Sequence, residues 1–118
     1  QMKSTKVPSF NVIGNSPLVL RESLLDEVYT MGENFVEAAK RVVSPGMNGP
    51  FCIEGVYDEN AKFTSFEFSA RIVAGSNIYM DGSPYYSLLF NENMSMGKRI
   101  AREIKIATEA NQLDKITT

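Results

Sequence analysis

The sequence predicts an α+β domain, a mostly antiparallel sheet with two main helices. Two observations carry this. Residues 51–71 read as two strands joined by a tight turn, with apolar and polar residues alternating in the second strand. Two other stretches, near 24–43 and 95–110, repeat apolar residues every three or four positions, the spacing of one helix face.

The elements follow in chain order. Gln1 to Phe10 is polar, with Lys3, Lys6 and Pro8. From Phe10 to Leu20 apolar residues surround Gly14-Asn15-Ser16-Pro17, which predicts a short strand, a loop, and extended chain to Arg21. Ser23 with Asp26 fits a capping box that opens the first helix. Its apolar stripe is Leu24, Val28, Met31, Phe35, Ala39 and Val42, interrupted only by the mild helix-weakener Gly32. The run Ser44 to Pro50, rich in Gly and Pro, ends it.

The hairpin comes next. A two-residue loop at Asn60-Ala61 would pair Asp58 with Phe63 and set Glu54 opposite Glu67. Phe66, Phe68, Ala70 and Ile72 would then face the core, with Glu67, Ser69 and Arg71 on the other side. Val73 to Tyr86 reads as a long loop, and length without regular structure is mild evidence of function. The last helix, Ser95 to Ala110, buries Met96, Ile100, Ile104 and Ala107. Asn111 to Thr118 is a polar tail.

Composition excludes several classes of function. With 43% hydrophobic and 22% charged residues, the 118-residue chain is globular rather than disordered. A formal charge of −2 gives no reason to expect nucleic acid or an anionic membrane as partner. No apolar stretch approaches the ~18 residues that span a bilayer. A single cysteine, Cys52, forms no internal disulfide, which suits a cytoplasmic location. The chain has no histidine, so His-based acid–base catalysis and His-ligated zinc are excluded, and any metal is a hard cation on oxygen.

Three constellations are candidates for chemistry. Glu54 and Glu67, with Ser69 and Arg71, would share one sheet face. Opposed carboxylates repel across a ladder, and a divalent cation between them reverses that sign. Two carboxylates suit Mg²⁺ when substrate phosphates complete its octahedron, and Arg71 offers a planar fork to phosphate. The same residues also fit a solvated face with Glu67 paired to Arg71. Asn15 could both donate to and accept from an amide or purine-like ligand, or Gly14 to Pro17 could be a plain turn. Gly75-Ser76-Asn77 with Gly82 to Tyr85 could receive an anion or be a surface loop, and it lacks P-loop spacing. Lys98, Arg99 and Arg102 read as a solvated face with an Arg99–Glu103 pair. Cys52 reads as core, since a nucleophilic role would lack a His partner.

Long motifs then become recognisable. Gly-Asn-Ser-Pro-Leu-Val-Leu-Arg-Glu-Ser-Leu-Leu from Gly14 and Ser-Pro-Gly-Met-Asn-Gly-Pro-Phe-Cys from Ser44 resemble the PurP family of formaminoimidazole carboxamide ribonucleotide (FAICAR) synthetases. So do Phe-Glu-Phe-Ser-Ala-Arg-Ile-Val-Ala-Gly-Ser-Asn from Phe66, Gly-Ser-Pro-Tyr from Gly82, and Met-Ser-Met-Gly-Lys-Arg-Ile-Ala-Arg-Glu-Ile from Met94. The resemblance runs from about Pro8 to the end. It implies an ATP-grasp ligase of purine biosynthesis that uses ATP and formate to formylate aminoimidazole carboxamide ribonucleotide (AICAR) through formyl phosphate. It places the ligands of Mg²⁺ (or Mn²⁺) on Glu54 and Glu67, and an AICAR contact on Asn15. Arg71 keeps the pattern's arginine, and its chemistry suits it to phosphate stabilisation as a catalytic residue. Where ATP-grasp enzymes usually have Asn two residues after the second acid, this chain has Ser69.

The resemblance further implies that residues 1–118 are the C-terminal part of the catalytic domain of a longer chain. The N-terminal domain and the ATP-binding lobe would lie upstream, which would account for a start at Gln1 and for the missing histidines. Such a portion alone is expected to be inactive. Expected partners are AICAR, formate and ATP, with a homo-oligomer expected and no nucleic acid or membrane. Two other readings stay open: another ATP-grasp carboxylate–amine ligase, and a non-catalytic nucleotide-binding module.

Overall fold

A computed structural model describes residues 11–117. The polar opening and the start of the expected first strand, residues 1–10, lie outside the described residues, as does the last residue of the tail. Residues 11–20 carry no regular structure. The expected strand is therefore absent from them, and the only sheet among the described residues has two strands, both further along the chain. Without an edge to pair with, Val12 and Ile13 are exposed.

The first helix, α1, spans Leu25–Val42 and is preceded by a 3₁₀ turn at Glu22–Leu24. The expected capping box does not form. Leu24 occupies the cap position with no side-chain hydrogen bond, and Ser23 lies inside the 3₁₀ turn, closed by Leu24 N–H donating to the Arg21 carbonyl at 3.0 Å. The helix start is favoured instead by Asp26 and Glu27 in its first turn, with Lys40 and Arg41 in its last, both matching the macrodipole. Phe35 carries the helix onto the hairpin. Its ring centroid lies 5.1 Å from that of Phe51 and 4.8 Å from that of Phe68.

The hairpin pairs β1, Cys52–Tyr57, with β2, Phe63–Ser69, antiparallel. The turn is one residue longer than expected. Asp58 N–H donates to the Lys62 carbonyl at 3.1 Å, which leaves Glu59, Asn60 and Ala61 as the loop. Ala61 takes a left-handed φ of 59°, as the third residue of such loops does. The Asp58 carboxylate accepts from the amides of Asn60 and Lys62, both at 2.9 Å. Phe63 consequently pairs with Tyr57, not Asp58. A bulge then restores the expected register: Gly55 faces Ser65, Glu54 faces Glu67, and Phe66 is the extra residue. Phe66 has no partner in β1 and is 67% exposed, so it does not join the core face assigned to it. Gly55 is required here. A Cβ on it would lie 2.3 Å from the Phe63 ring and 2.6 Å from the Thr64 carbonyl oxygen.

The stretch expected as a loop, Val73 to Tyr86, is more ordered than that and runs into a helix. A 3₁₀ turn forms at Ala74–Ile78 and a second helix, α2, at Pro84–Phe90. The sequence signals for α2 are local: Ser83 caps it by accepting from the Tyr85 amide, and Pro84 occupies the first helical position. Its start is fixed by Gly82, at φ +81°, where a Cβ would lie 1.9 Å from the Met94 carbonyl oxygen. Met94 is itself 1% exposed.

The last helix, α3, runs Met96–Glu109 behind a Ser95 cap. The Arg99–Glu103 pair forms at 2.7 Å, and both Arg99 and Arg102 lie over the Phe90 ring. Ala107 is buried, but Met96 and Ile104 stay partly exposed, so the stripe is only partly covered. A 3₁₀ turn at Leu113–Lys115 follows where a polar tail was expected. Among the described residues no helix is long and apolar enough to cross a membrane.

Candidate functional site

The site lies on the polar face of the hairpin. Cross-strand partners share a face, so the pairs Cys52–Ser69 and Glu54–Glu67 stand side by side on it. Ile53 and Phe68 form the pair between them and point the other way, toward Phe35. The register that opposes the two carboxylates depends on the bulge. Without the extra residue at Phe66, the pairing set by the turn would place Glu54 opposite Phe66.

Glu54 is half-buried and Glu67 exposed. The ion pairs among the described residues involve neither of them. The opposed charges are therefore not neutralised by Arg71, as a solvated paired face would require. Beside them, burial pushes the Cys52 thiol above its ordinary pKa. Glu54 and Glu67 push it further, and Arg71 opposes. The thiol thus lies within the field of both carboxylates and the guanidinium. Arg71 lies past the end of β2, beyond the reach of the period-two face argument, and its guanidinium donates to the Ile72 carbonyl at 3.0 Å.

Among the described residues no group of three or more His, Cys, Asp or Glu side chains forms a metal cage. The donor set is two carboxylates, with the Ser69 hydroxyl on the same face. That set fits Mg²⁺ or Mn²⁺ completed by phosphate oxygens and water, and does not fit an all-protein zinc or calcium site.

On the opposite side, an apolar groove of about 920 Å³ lies between α1 and the end of β2. Phe35, Val42, Met47, Pro50, Phe68 and Arg71 are among the residues that line it.

Asn15 lies on a different element, the exposed segment ahead of α1. That segment is held just after Pro17. The Leu18 amide donates to the Tyr79 hydroxyl at 2.9 Å, and the same hydroxyl contacts the Leu18 carbonyl at 3.3 Å. The Tyr85 hydroxyl donates to the Leu20 carbonyl. Sequence reasoning names Tyr85 only within Gly82 to Tyr85, as an anion site or surface loop, and misses Tyr79; the signal for both is a Tyr-bearing stretch rich in Gly, Ser and Pro. Gly75-Ser76-Asn77 lies within the 3₁₀ turn that carries Tyr79.

The geometry defines an α+β domain with two carboxylates opposed on one hairpin face. A family profile described as "Domain of unknown function (DUF1297)" matches residues 1–118, and the chain belongs to that family. It is 90% identical over 118 residues to a protein of Nitrosopumilus maritimus (strain SCM1), and 71% identical over 118 residues to one of Cenarchaeum symbiosum (strain A). Each is named 5-formaminoimidazole-4-carboxamide-1-(beta)-D-ribofuranosyl 5'-monophosphate synthetase, and each match covers 100% of this chain and 35% of the relative. The chain therefore spans about a third of the length of these curated relatives. Among solved structures, an IMP biosynthesis protein PurP from Thermococcus kodakaraensis matches with a TM-score of 0.76 at 34% identity, over 96% of this chain and 37% of that one. These matches bear out the PurP resemblance and the α+β, ATP-grasp class read from the sequence.

Proposed function

We propose that this chain is the C-terminal part of the catalytic domain of a cytoplasmic ligase that formylates AICAR to FAICAR, with ATP and formate as co-substrates. One observation carries the reading: Glu54 and Glu67 are held opposite each other with no cation partner among the described residues. The names of the highly similar relatives support the substrate class.

In this reading Glu54 and Glu67 hold Mg²⁺ or Mn²⁺, and Ser69 adds a hydroxyl to the same face. A divalent cation held by these carboxylates would supply positive charge to offset that of the ATP phosphates. Arg71 donates hydrogen bonds to phosphate oxygens and so stabilises the charge that shifts among them as the phosphoryl group transfers. Asn15 binds AICAR and orients its amine toward the acyl carbon. The relatives are about three times as long as this chain; in this reading the ATP-binding lobe lies in that additional length, and these 118 residues alone are inactive.

The test uses the full-length protein with AICAR, formate and ATP, following ADP release. Glu67→Gln lowers turnover by orders of magnitude with the fold unchanged. A near-wild-type rate at saturating Mg²⁺ contradicts the assignment.

A further inference from the structure

We propose that Tyr79 and Tyr85 are positioning residues that clamp the segment carrying Asn15, and so set the affinity for the AICAR-type substrate. The proposal rests on the reading of Asn15 as a substrate contact and extends it to residues that touch no substrate. Asn15 sits on a stretch with no regular structure, exposed over residues 11–19. Such a stretch does not by itself hold a side chain still, because each unfixed residue retains backbone freedom.

Two side-chain hydroxyls supply what secondary structure does not. Tyr79 meets both backbone polar groups of Leu18, at 2.9 and 3.3 Å, and Tyr85 donates to the carbonyl of Leu20. These contacts bridge more than sixty residues of sequence. The anchor is close to Asn15 in stiffness as well as in sequence. Pro17 has a fixed φ, and it restricts Ser16 before it to extended backbone. Orientation imposed at Leu18 is thereby transmitted to Asn15 through two restricted residues.

The clamp is itself mounted rigidly. Tyr79 closes the 3₁₀ turn Ala74–Ile78, its amide donating to the Ser76 carbonyl at 3.1 Å. Tyr85 is the second residue of α2, where its amide donates to the Ser83 cap. Gly82, just before that cap, is pressed against the backbone of Met94, the most buried side chain described. A path of fixed contacts therefore runs from the buried Met94 through α2 to the Asn15 segment. Both tyrosines have their hydroxyls spent on backbone groups.

Tyr79→Phe and Tyr85→Phe remove only the hydroxyls and keep the rings, so the packing survives. In the full-length protein each variant should raise KM for AICAR about 3- to 10-fold, the worth of one neutral hydrogen bond. KM for ATP and the thermal midpoint should stay close to wild type. Equal rises in both KM values, or a fallen midpoint with unchanged KM for AICAR, would mean a merely structural role and overturn the proposal. Asn15→Ala, measured alongside, separates the two levels. If it raises KM for AICAR while neither tyrosine variant does, the clamp is wrong and the substrate reading stands. If it leaves KM for AICAR unchanged, the substrate reading fails and the clamp's role fails with it.

Discussion

At the scale of single residues, the central question is how a sheet comes to hold two like charges face to face. The opposition of Glu54 and Glu67 is legible in the sequence, but the path to it is not. Counting back from a two-residue turn gives the observed pair, whereas the actual loop has three residues and the bulge at Phe66 takes up the difference. The loop is hidden because its left-handed position is filled by Ala61 and not by the glycine that usually marks it. The bulge is hidden because its requirement is steric: Gly55 leaves room for the Phe63 ring. Gly55→Ala should therefore destabilise the hairpin by about 1–3 kcal/mol through overpacking. Urea unfolding of the full-length protein measures it, and an unchanged midpoint would show that the ring simply moves aside. Alternation places Arg71 on the polar face, but β2 stops at Ser69, so the position of Arg71 relative to phosphate is not readable from period two.

At the scale of elements, strongly periodic segments are legible in the sequence and capped short ones are not. The apolar stripes locate α1 and α3 to within a residue or two. α2 escapes because its seven residues span barely two turns, too few to show a period, although Ser83-Pro84 announces its start. The reverse error occurs at Ser23, where a plausible cap motif is overridden by the 3₁₀ turn that precedes α1. The Ser95 cap of α3 does form, accepting from the Lys98 amide at 3.2 Å. Ser95→Ala should cost about 1 kcal/mol, seen as a lower urea midpoint with an unchanged slope. Gly32 offers the opposite change. It sits inside α1, and a Cβ added there would meet nothing within 4 Å, so Gly32→Ala should stabilise α1 by up to about 1 kcal/mol. Just before α3, the Glu92 carboxylate is held below the ordinary range by its hydrogen bond to Lys98 and by that residue's charge. A depressed carboxylate stabilises above its unfolded pKa and loses that contribution as pH falls through the folded one. An NMR titration should place the Glu92 midpoint below that of free glutamate, and Lys98→Ala should return it upward.

At the scale of the whole molecule, the chain exposes 9,982 Å², against about 6,400 Å² for a compact monomer of its mass. Only Met94 and Ala107 are buried hydrophobics among the described residues, and Phe66 and Phe68 of the hairpin stay open. The sequence could not reveal this, because a periodic apolar face looks the same whether its cover lies in this chain or in the rest of a longer one. With relatives about three times as long, the function proposed above would have further polypeptide pack against this excess surface. The isolated 118 residues should accordingly bind a hydrophobic dye such as ANS strongly, and the full-length protein weakly; equal binding would leave the excess surface unexplained. The central claim, that the opposed glutamates hold a divalent cation, is tested most directly by Mn²⁺ binding to the full-length protein in the presence of ATP, read by EPR. Wild type should show a saturable site whose affinity falls at least tenfold in Glu54→Gln and in Glu67→Gln, while ATP still binds. Mn²⁺ affinity unchanged in both variants would contradict it.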